Sequence, residues 1–166
     1  FLGKKILIYG LGKSGISVFN FLKRFNKIFL FDDDKKICDN KILKPKTISY
    51  KKIQRSKFDI IILSPGIDKN KFKLKKILKK NLKIIYTDLD IFYTFYQNKC
   101  ITITGTNGKS TTCQLLYEVL KKQGFDVKLA GNIGYPILSI KNIKRRSIFV
   151  IEASSYQLDY SKLFNS

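Results

Sequence analysis

No stretch constrains the fold of this chain more than Thr102-Ile103-Thr104-Gly105-Thr106-Asn107-Gly108-Lys109-Ser110-Thr111-Thr112. An alternating β-type run, Cys100 to Thr104, enters a turn with two glycines, and a helical pattern follows from about Ser110 to Lys122. Glycines let backbone N–H groups turn inward, and the free N–H groups and dipole at a helix start favour an anion. Lys109 is placed to reach β- and γ-phosphates, and the Ser110 or Thr111 hydroxyl can serve a Mg²⁺ ion. The first glycine, Gly105, comes two positions later than G-x-x-x-x-G-K-[ST] spacing requires, and Ile103 stands in its place. An ordinary strand, turn and helix with a surface lysine would share part of this pattern. The order of strand, glycine turn, lysine and hydroxyl points instead to a nucleotide phosphate.

A second glycine turn stands at the start of the chain. Lys4 to Tyr9 reads as a strand ending at Gly10-Leu11-Gly12-Lys13-Ser14-Gly15, and Ile16, Phe19, Leu22 and Phe25 then recur at helical spacing. Ile28 to Phe31 reads as the next strand, closed by Asp32-Asp33-Asp34. This is a G-x-G-x-x-G fingerprint in its required context, with Asp32 at the place of a ribose-binding acid.

Between the two turns, residues 35–57 read as short irregular structure with a weak strand at Thr47 to Tyr50. Asp59 to Leu63 reads as a buried strand stopping at Ser64-Pro65-Gly66-Ile67, a turn at a strand's carboxyl end. A basic helix from Phe72 to Lys80, a strand from Lys83 to Tyr86 and a helix from Asp88 to Tyr96 follow, with Gln97-Asn98-Lys99 as a linker. Beyond the organising helix, Gly124 is a helix stop, Val127 to Ala130 a strand and Gly131-Asn132-Ile133-Gly134 a turn. Ser147 to Ile151 is a further strand, running into Glu152, which stands where a metal-holding carboxylate belongs; a solvated strand end is the plain alternative. The fold class is therefore α/β. A Rossmann-like domain is expected over 1–96, followed over 97–166 by the first part of a P-loop-type α/β domain.

Composition narrows the function classes. The net charge is +21, which invites a nucleic-acid reading, but 29 of the 33 basic residues are Lys and they are scattered. The abundance of Lys, Ile, Asn, Phe and Tyr is what an AT-rich coding sequence yields, so no specific nucleic-acid partner is expected. No apolar run approaches the roughly 18 residues of a membrane span. Three cysteines without a C-x-x-C pair, and no histidine, argue against a zinc site, a disulfide framework or a histidine triad, and fit a reducing cytoplasm. The opening Phe1-Leu2-Gly3-Lys4-Lys5 has no signal-peptide core and no starting Met, so the numbering is expected to begin inside a longer product.

Five marks in series carry a resemblance. They are Gly10 to Gly15, Ser64-Pro65-Gly66-Ile67, Gly105 to Thr111, Gly131-Asn132-Ile133-Gly134-Tyr135-Pro136, and Glu152 with Ser154-Ser155-Tyr156-Gln157-Leu158. In this order the chain resembles, over essentially its whole length, the Mur ligases of peptidoglycan synthesis, and within them the D-glutamate-adding branch. The resemblance implies an ATP- and Mg²⁺-dependent ligase that phosphorylates the carboxylate of UDP-N-acetylmuramoyl-L-alanine and lets the amine of D-glutamate displace phosphate. It implies ATP binding by Gly105, Thr106, Asn107, Gly108, Lys109, Ser110 and Thr111, with Lys109 catalytic and Ser110 and Glu152 holding the metal. It implies UDP-substrate binding by Gly10, Gly12, Lys13, Ser14, Gly15, Asp32, Ser64 and Asn132, in a cytoplasmic monomer. The family's threonine and arginine after the first acid are here Asp33 and Asp34, so either Lys13, Lys35 or Lys36 compensates the three adjacent charges or the nucleotide contact differs from the family's. The family's second-metal lysine and histidine and its closing domain would lie beyond Ser166, so the chain reads as the amino-terminal part of such a ligase and is expected to be silent by itself. Two other classes stay open: an NAD-dependent oxidoreductase using the first glycine turn alone, and a basic nucleic-acid-binding protein.

Overall fold

The computed structural model of the chain describes residues 1–67 and 74–165. It divides into two compact units, Phe1–Asp88 and Leu89–Ser166. In the first unit, β1 (Lys5–Tyr9) leads through the glycine turn into α1 (Lys13–Leu22), then β2 (Lys27–Phe31), α2 (Lys35–Cys38), α3 (Tyr50–Gln54), β3 (Ile60–Leu63), α4 (Lys75–Lys80) and β4 (Ile85–Tyr86). The strands form one parallel sheet in the order β2-β1-β3-β4. The two central strands read as unbroken apolar runs because both of their faces are covered. Ile6, Leu7, Ile8, Ile61 and Ile62 are all buried.

That strand order decides where a ligand can sit. β2 lies on one side of β1 and β3 on the other, so the chain order reverses across β1, the kind of switch point outside whose strand carboxyl ends open α/β sheets bind ligands. The Gly10–Gly15 turn and Ser64 are the segments that emerge there.

Several expected details are corrected. Phe19 and Leu22 are buried with Val18, but Ile16 is 37% exposed and Phe25, beyond the helix end, 62% exposed, so the apolar stripe of α1 is narrower than its spacing suggests. No strand forms at Thr47 to Tyr50. Pro45 sits in a 3-10 turn, Thr47 makes one isolated bridge to Leu30, and the Ser49 side chain caps α3 by accepting from the Lys52 N–H. A capping serine thus wins over β-propensity. Leu82–Ile84 is a 3-10 turn, which cuts the strand expected from Lys83 to Ile85–Tyr86. The expected helical residues Phe72 and Lys73 lie outside the described residues.

The second unit contains most of α5 (Asp88–Phe95), then β5 (Lys99–Ile103), α6 (Lys109–Lys122), β6 (Val127–Gly131), β7 (Ile148–Glu152) and α7 (Ser155–Tyr160). Its parallel sheet has the order β5-β7-β6, so α6 carries the chain past the place that β7 later fills. β7 is the buried spine. Phe149, Val150 and Ile151 are fully inaccessible, and the Phe149 ring packs on Phe92 of α5 at 4.7 Å.

Two polar latches hold this unit. Asp90, fully buried, accepts at Oδ1 from the Ser161 hydroxyl and from the backbone N–H groups of Lys162, Leu163 and Phe164, at 2.7–3.2 Å. At the amino ends of the strands, the Asn98 amide donates to the carbonyls of Lys144 and Ser147. The Ser147 hydroxyl donates to Asp126, whose other oxygen meets Lys128 at 2.8 Å. The Lys128 ammonium first, then the Ser147 hydroxyl, holds the Asp126 carboxyl below its ordinary range. Among the described residues, no helix is long and apolar enough to cross a membrane.

Candidate functional site: two anion-binding turns

The first turn is built by close packing. The Gly10 N–H donates to the Phe31 carbonyl and the Ser64 N–H to the Tyr9 carbonyl, each at 3.0 Å, while the Ser64 hydroxyl donates to the Gly10 carbonyl at 2.6 Å. A Cβ on Gly15 would meet the Gly10 oxygen at 1.8 Å, so glycine is required there for space. Gly10 needs glycine for conformation as well, with φ +93. Gly12 opens α1 with no side-chain cap, and no acid stands in the helix's first turn. The first N–H groups of α1 are therefore without a side-chain cap at a positive helix end. Ser64 thus lies against the Gly10–Gly15 turn, through its hydroxyl on the Gly10 carbonyl.

Asp32 joins them in a way the spacing did not suggest. Its Oδ2 accepts from the Leu11 N–H at 2.6 Å and its Oδ1 from the Asp34 N–H at 2.9 Å, so the carboxylate braces the turn from below. Neutral donors take part in holding the acid run, which the expectation of lysine compensation did not include. Asp33 accepts from the Tyr9 hydroxyl, and Asp34 caps α2 by accepting from the Lys36 backbone N–H. Backbone N–H groups and a phenol lie closer to a tight turn than a long, strongly hydrated lysine head would.

The second turn follows β5. Gly105 and Gly108 have φ of +146 and +75, a region that favours glycine and bends the loop back at the start of α6. Gly108 is the N-cap of α6, with no capping side chain and no acid in the first turn, and residues 104–108 are exposed. The Lys109 ammonium folds back over the loop and donates to the Gly105 and Thr106 carbonyls at 2.7 and 3.2 Å. The Ser110 hydroxyl donates to Glu152 Oε2 at 2.7 Å. Glu152 is the last residue of β7 and only 5% exposed, so it is not a solvated strand end. The sheet register sets this meeting: Glu152 lies between Ile103 and Gly131.

Asn132 stands in this second unit, one residue beyond β6, with its N–H on the Glu152 carbonyl at 3.0 Å. Gly131 permits the contact, since a Cβ there would lie 2.2 Å from the Glu152 carbonyl oxygen. Cys113, buried beneath the α6 start, has its thiol pushed up by burial and then by the Glu152 charge, so it is an inert packing group. Sequence reasoning named Asp33 but missed its pairing with Tyr9; an aromatic at the strand position before a glycine turn, with an acid run after the next strand, is the signal that could have found it.

The donor set suits one kind of metal. Ser110 Oγ and a Glu152 carboxylate oxygen are hard ligands already 2.7 Å apart. No group of three or more His, Cys, Asp or Glu side chains able to hold a metal occurs among the described residues. One carboxylate and one hydroxyl, completed by phosphate oxygens and water, is how Mg²⁺ is ordinarily held.

A family model described as Mur ligase MurD-like, N-terminal domain, matches residues 4–86, and one described as Mur ligase middle domain matches residues 103–165. Proteins named UDP-N-acetylmuramoylalanine--D-glutamate ligase are similar to it. That of Buchnera aphidicola subsp. Schizaphis graminum is 41% identical over 96% of this chain and 37% of the relative. That of Lachnoclostridium phytofermentans is 35% identical over 99% of this chain and 38% of the relative. The Buchnera aphidicola subsp. Baizongia pistaciae protein is 40% identical over 96% and 37%. The chain thus spans a little over a third of the length of these curated relatives. With a MurD-like match over the first glycine turn and a middle-domain match over the second, the chain belongs to the Mur ligase family.

Proposed function

We propose that this chain carries the UDP-substrate turn and the ATP-phosphate turn of an ATP-dependent ligase that joins D-glutamate to UDP-N-acetylmuramoyl-L-alanine. Residues 1–96 are assigned to the UDP substrate and residues 97–166 to ATP. The observation that carries the reading is the Ser110–Glu152 pair at 2.7 Å, at the start of an uncapped helix following a glycine turn. The similar proteins named UDP-N-acetylmuramoylalanine--D-glutamate ligase supply the substrate class.

On this reading the chemistry falls to particular groups. The N–H groups from Gly105 to Thr111 cradle the phosphates of ATP. Lys109 exchanges its two loop carbonyls for β- and γ-phosphate oxygens and neutralises charge on the moving phosphoryl group. Ser110 and Glu152 would hold Mg²⁺, which supplies Lewis-acid screening of the phosphate oxygens. Lys13 and Ser14, with the uncapped N–H groups of α1, take the diphosphate of the UDP substrate, while Asp32 and Ser64 hold the turn in shape. Asn132, next to Glu152, contributes to placing the substrate. The phosphoryl group passes to the substrate carboxylate, leaving ADP, and the amine of D-glutamate then forms the amide and releases phosphate.

An NAD-dependent oxidoreductase would account for the first turn alone and leaves the Ser110–Glu152 pair without a task. Calorimetric titration of the chain with UDP and with NAD decides between them. UDP binding with no heat from NAD is expected, and preference for NAD overturns the ligase reading.

A further inference from the structure

Tyr9 is a buried ionisable side chain to which the proposed chemistry gives no task. It is the last residue of β1, directly before Gly10, and is fully inaccessible. Its ring packs at 5.3 Å on Phe31, its register partner in β2. Its hydroxyl donates to Asp33 Oδ2 at 2.5 Å, and the backbone N–H of Leu74 hydrogen-bonds the same phenol oxygen. On the other side of Gly10, the Leu11 N–H is held by Asp32. Two adjacent acids are therefore stapled to the two residues that flank the first glycine of the turn. One staple runs through a side chain and the other through the backbone.

The electrostatics give this staple a purpose. A diphosphate at the start of α1 is repelled by any carboxylate free to swing toward it, and three stand in a row here. Asp34 is spent as a cap on α2, and Asp32 on backbone N–H groups. The Asp33 carboxylate is engaged at Oδ2 by the buried phenol. Burial first, then Asp33 itself, raises the phenol far above its ordinary range, so it stays a donor across the working pH.

We propose that Tyr9 is a positioning residue for the anionic ligand of the first turn, acting by holding the Asp33 carboxylate away from it. The inference rests on the proposed UDP role of that turn. Affinity for UDP is measured by calorimetry on the whole chain for wild type, Tyr9→Phe, Asp33→Asn and the double variant. Tyr9→Phe is expected to weaken UDP about tenfold, equivalent to about 1.4 kcal/mol. The double variant is expected to bind within about twofold of Asp33→Asn, because with the charge gone the phenol has nothing to hold.

A merely structural tyrosine would leave the double variant as weak as Tyr9→Phe, and that result overturns the proposal. So does wild-type affinity in Tyr9→Phe. If Tyr9→Phe fails to fold by circular dichroism, Asp33→Asn alone decides: UDP affinity at or above wild type is expected, and a loss beyond about threefold overturns the proposal. Wild type that binds no UDP overturns this inference and the UDP assignment together. Wild-type binding with an unresponsive Tyr9→Phe overturns this inference alone.

Discussion

Gly12 and Gly15 belong to one glycine motif, yet the structure assigns them unequal burdens, and replacing each by alanine separates them. At Gly15 a Cβ would lie 1.8 Å from the Gly10 oxygen, 1.6 Å short of the 3.4 Å where ordinary contact begins, and 2.8 Å from Ser64 Oγ. The obstacle is backbone and cannot rotate away. The Gly10 carbonyl must move, and in moving it gives up the 2.6 Å bond from Ser64. Overpacking of this kind costs roughly 1–3 kcal/mol, and the lost hydrogen bond adds about 1 kcal/mol. Gly15→Ala should therefore destabilise the first unit by about 2–4 kcal/mol. At Gly12 nothing lies within 4 Å of the added Cβ and φ is −67, so alanine should cost no more than about 1 kcal/mol, the loss expected at an uncapped N-cap. Native-state amide exchange, read by mass spectrometry over β1 and β3, reports the opening free energy of this unit by itself. Equal protection in the two variants would refute the argument that space at the turn, rather than its glycine count, is what the fold demands.

Other outcomes follow from the second unit. In the proposed ligase reaction, assayed in a full-length ligase carrying this segment, Lys109→Ala should lower kcat by about two to three orders of magnitude and weaken ATP less, because the loop N–H groups remain; unchanged kcat would remove Lys109 from the chemistry. Glu152→Gln should keep the Ser110 contact but lose metal affinity, so activity should recover partly as Mg²⁺ is raised, whereas wild-type behaviour at every Mg²⁺ concentration would exclude a metal role. Asp90→Ala leaves the Lys162, Leu163 and Phe164 N–H groups without their acceptor and should cost about 3 kcal/mol in urea unfolding of the second unit; a loss below about 1 kcal/mol would mean water replaces the carboxylate. The Asp126 carboxyl is held below its ordinary range when folded, so its contribution is present above that range and is lost as pH falls through the folded value. Asp126→Asn should flatten the acid limb of the thermal-stability profile below about pH 4, and an unchanged limb would show that other carboxylates carry it.

The local features of this protein were legible in its sequence because their physics is local. Glycines at Gly10, Gly105 and Gly108, an apolar run before each turn and a helical pattern after it need only the residues themselves to form. Hence the α/β class and the two glycine turns that open helices could be read directly, as could Glu152 at the end of its strand. Periodicity misled where a local cap or an uncovered face intervened, as at Ser49 and Ile16. What the tertiary structure alone decided are pairings across long stretches of chain: Ser64 with Gly10, Ser110 with Glu152, Tyr9 with Asp33 and Asp90 with the 162–164 backbone. Each depends on which strands become neighbours and in what register. Sheet order and register are set by the packing of whole faces against helices, so one residue's neighbours along the chain do not encode the partner it meets across the sheet.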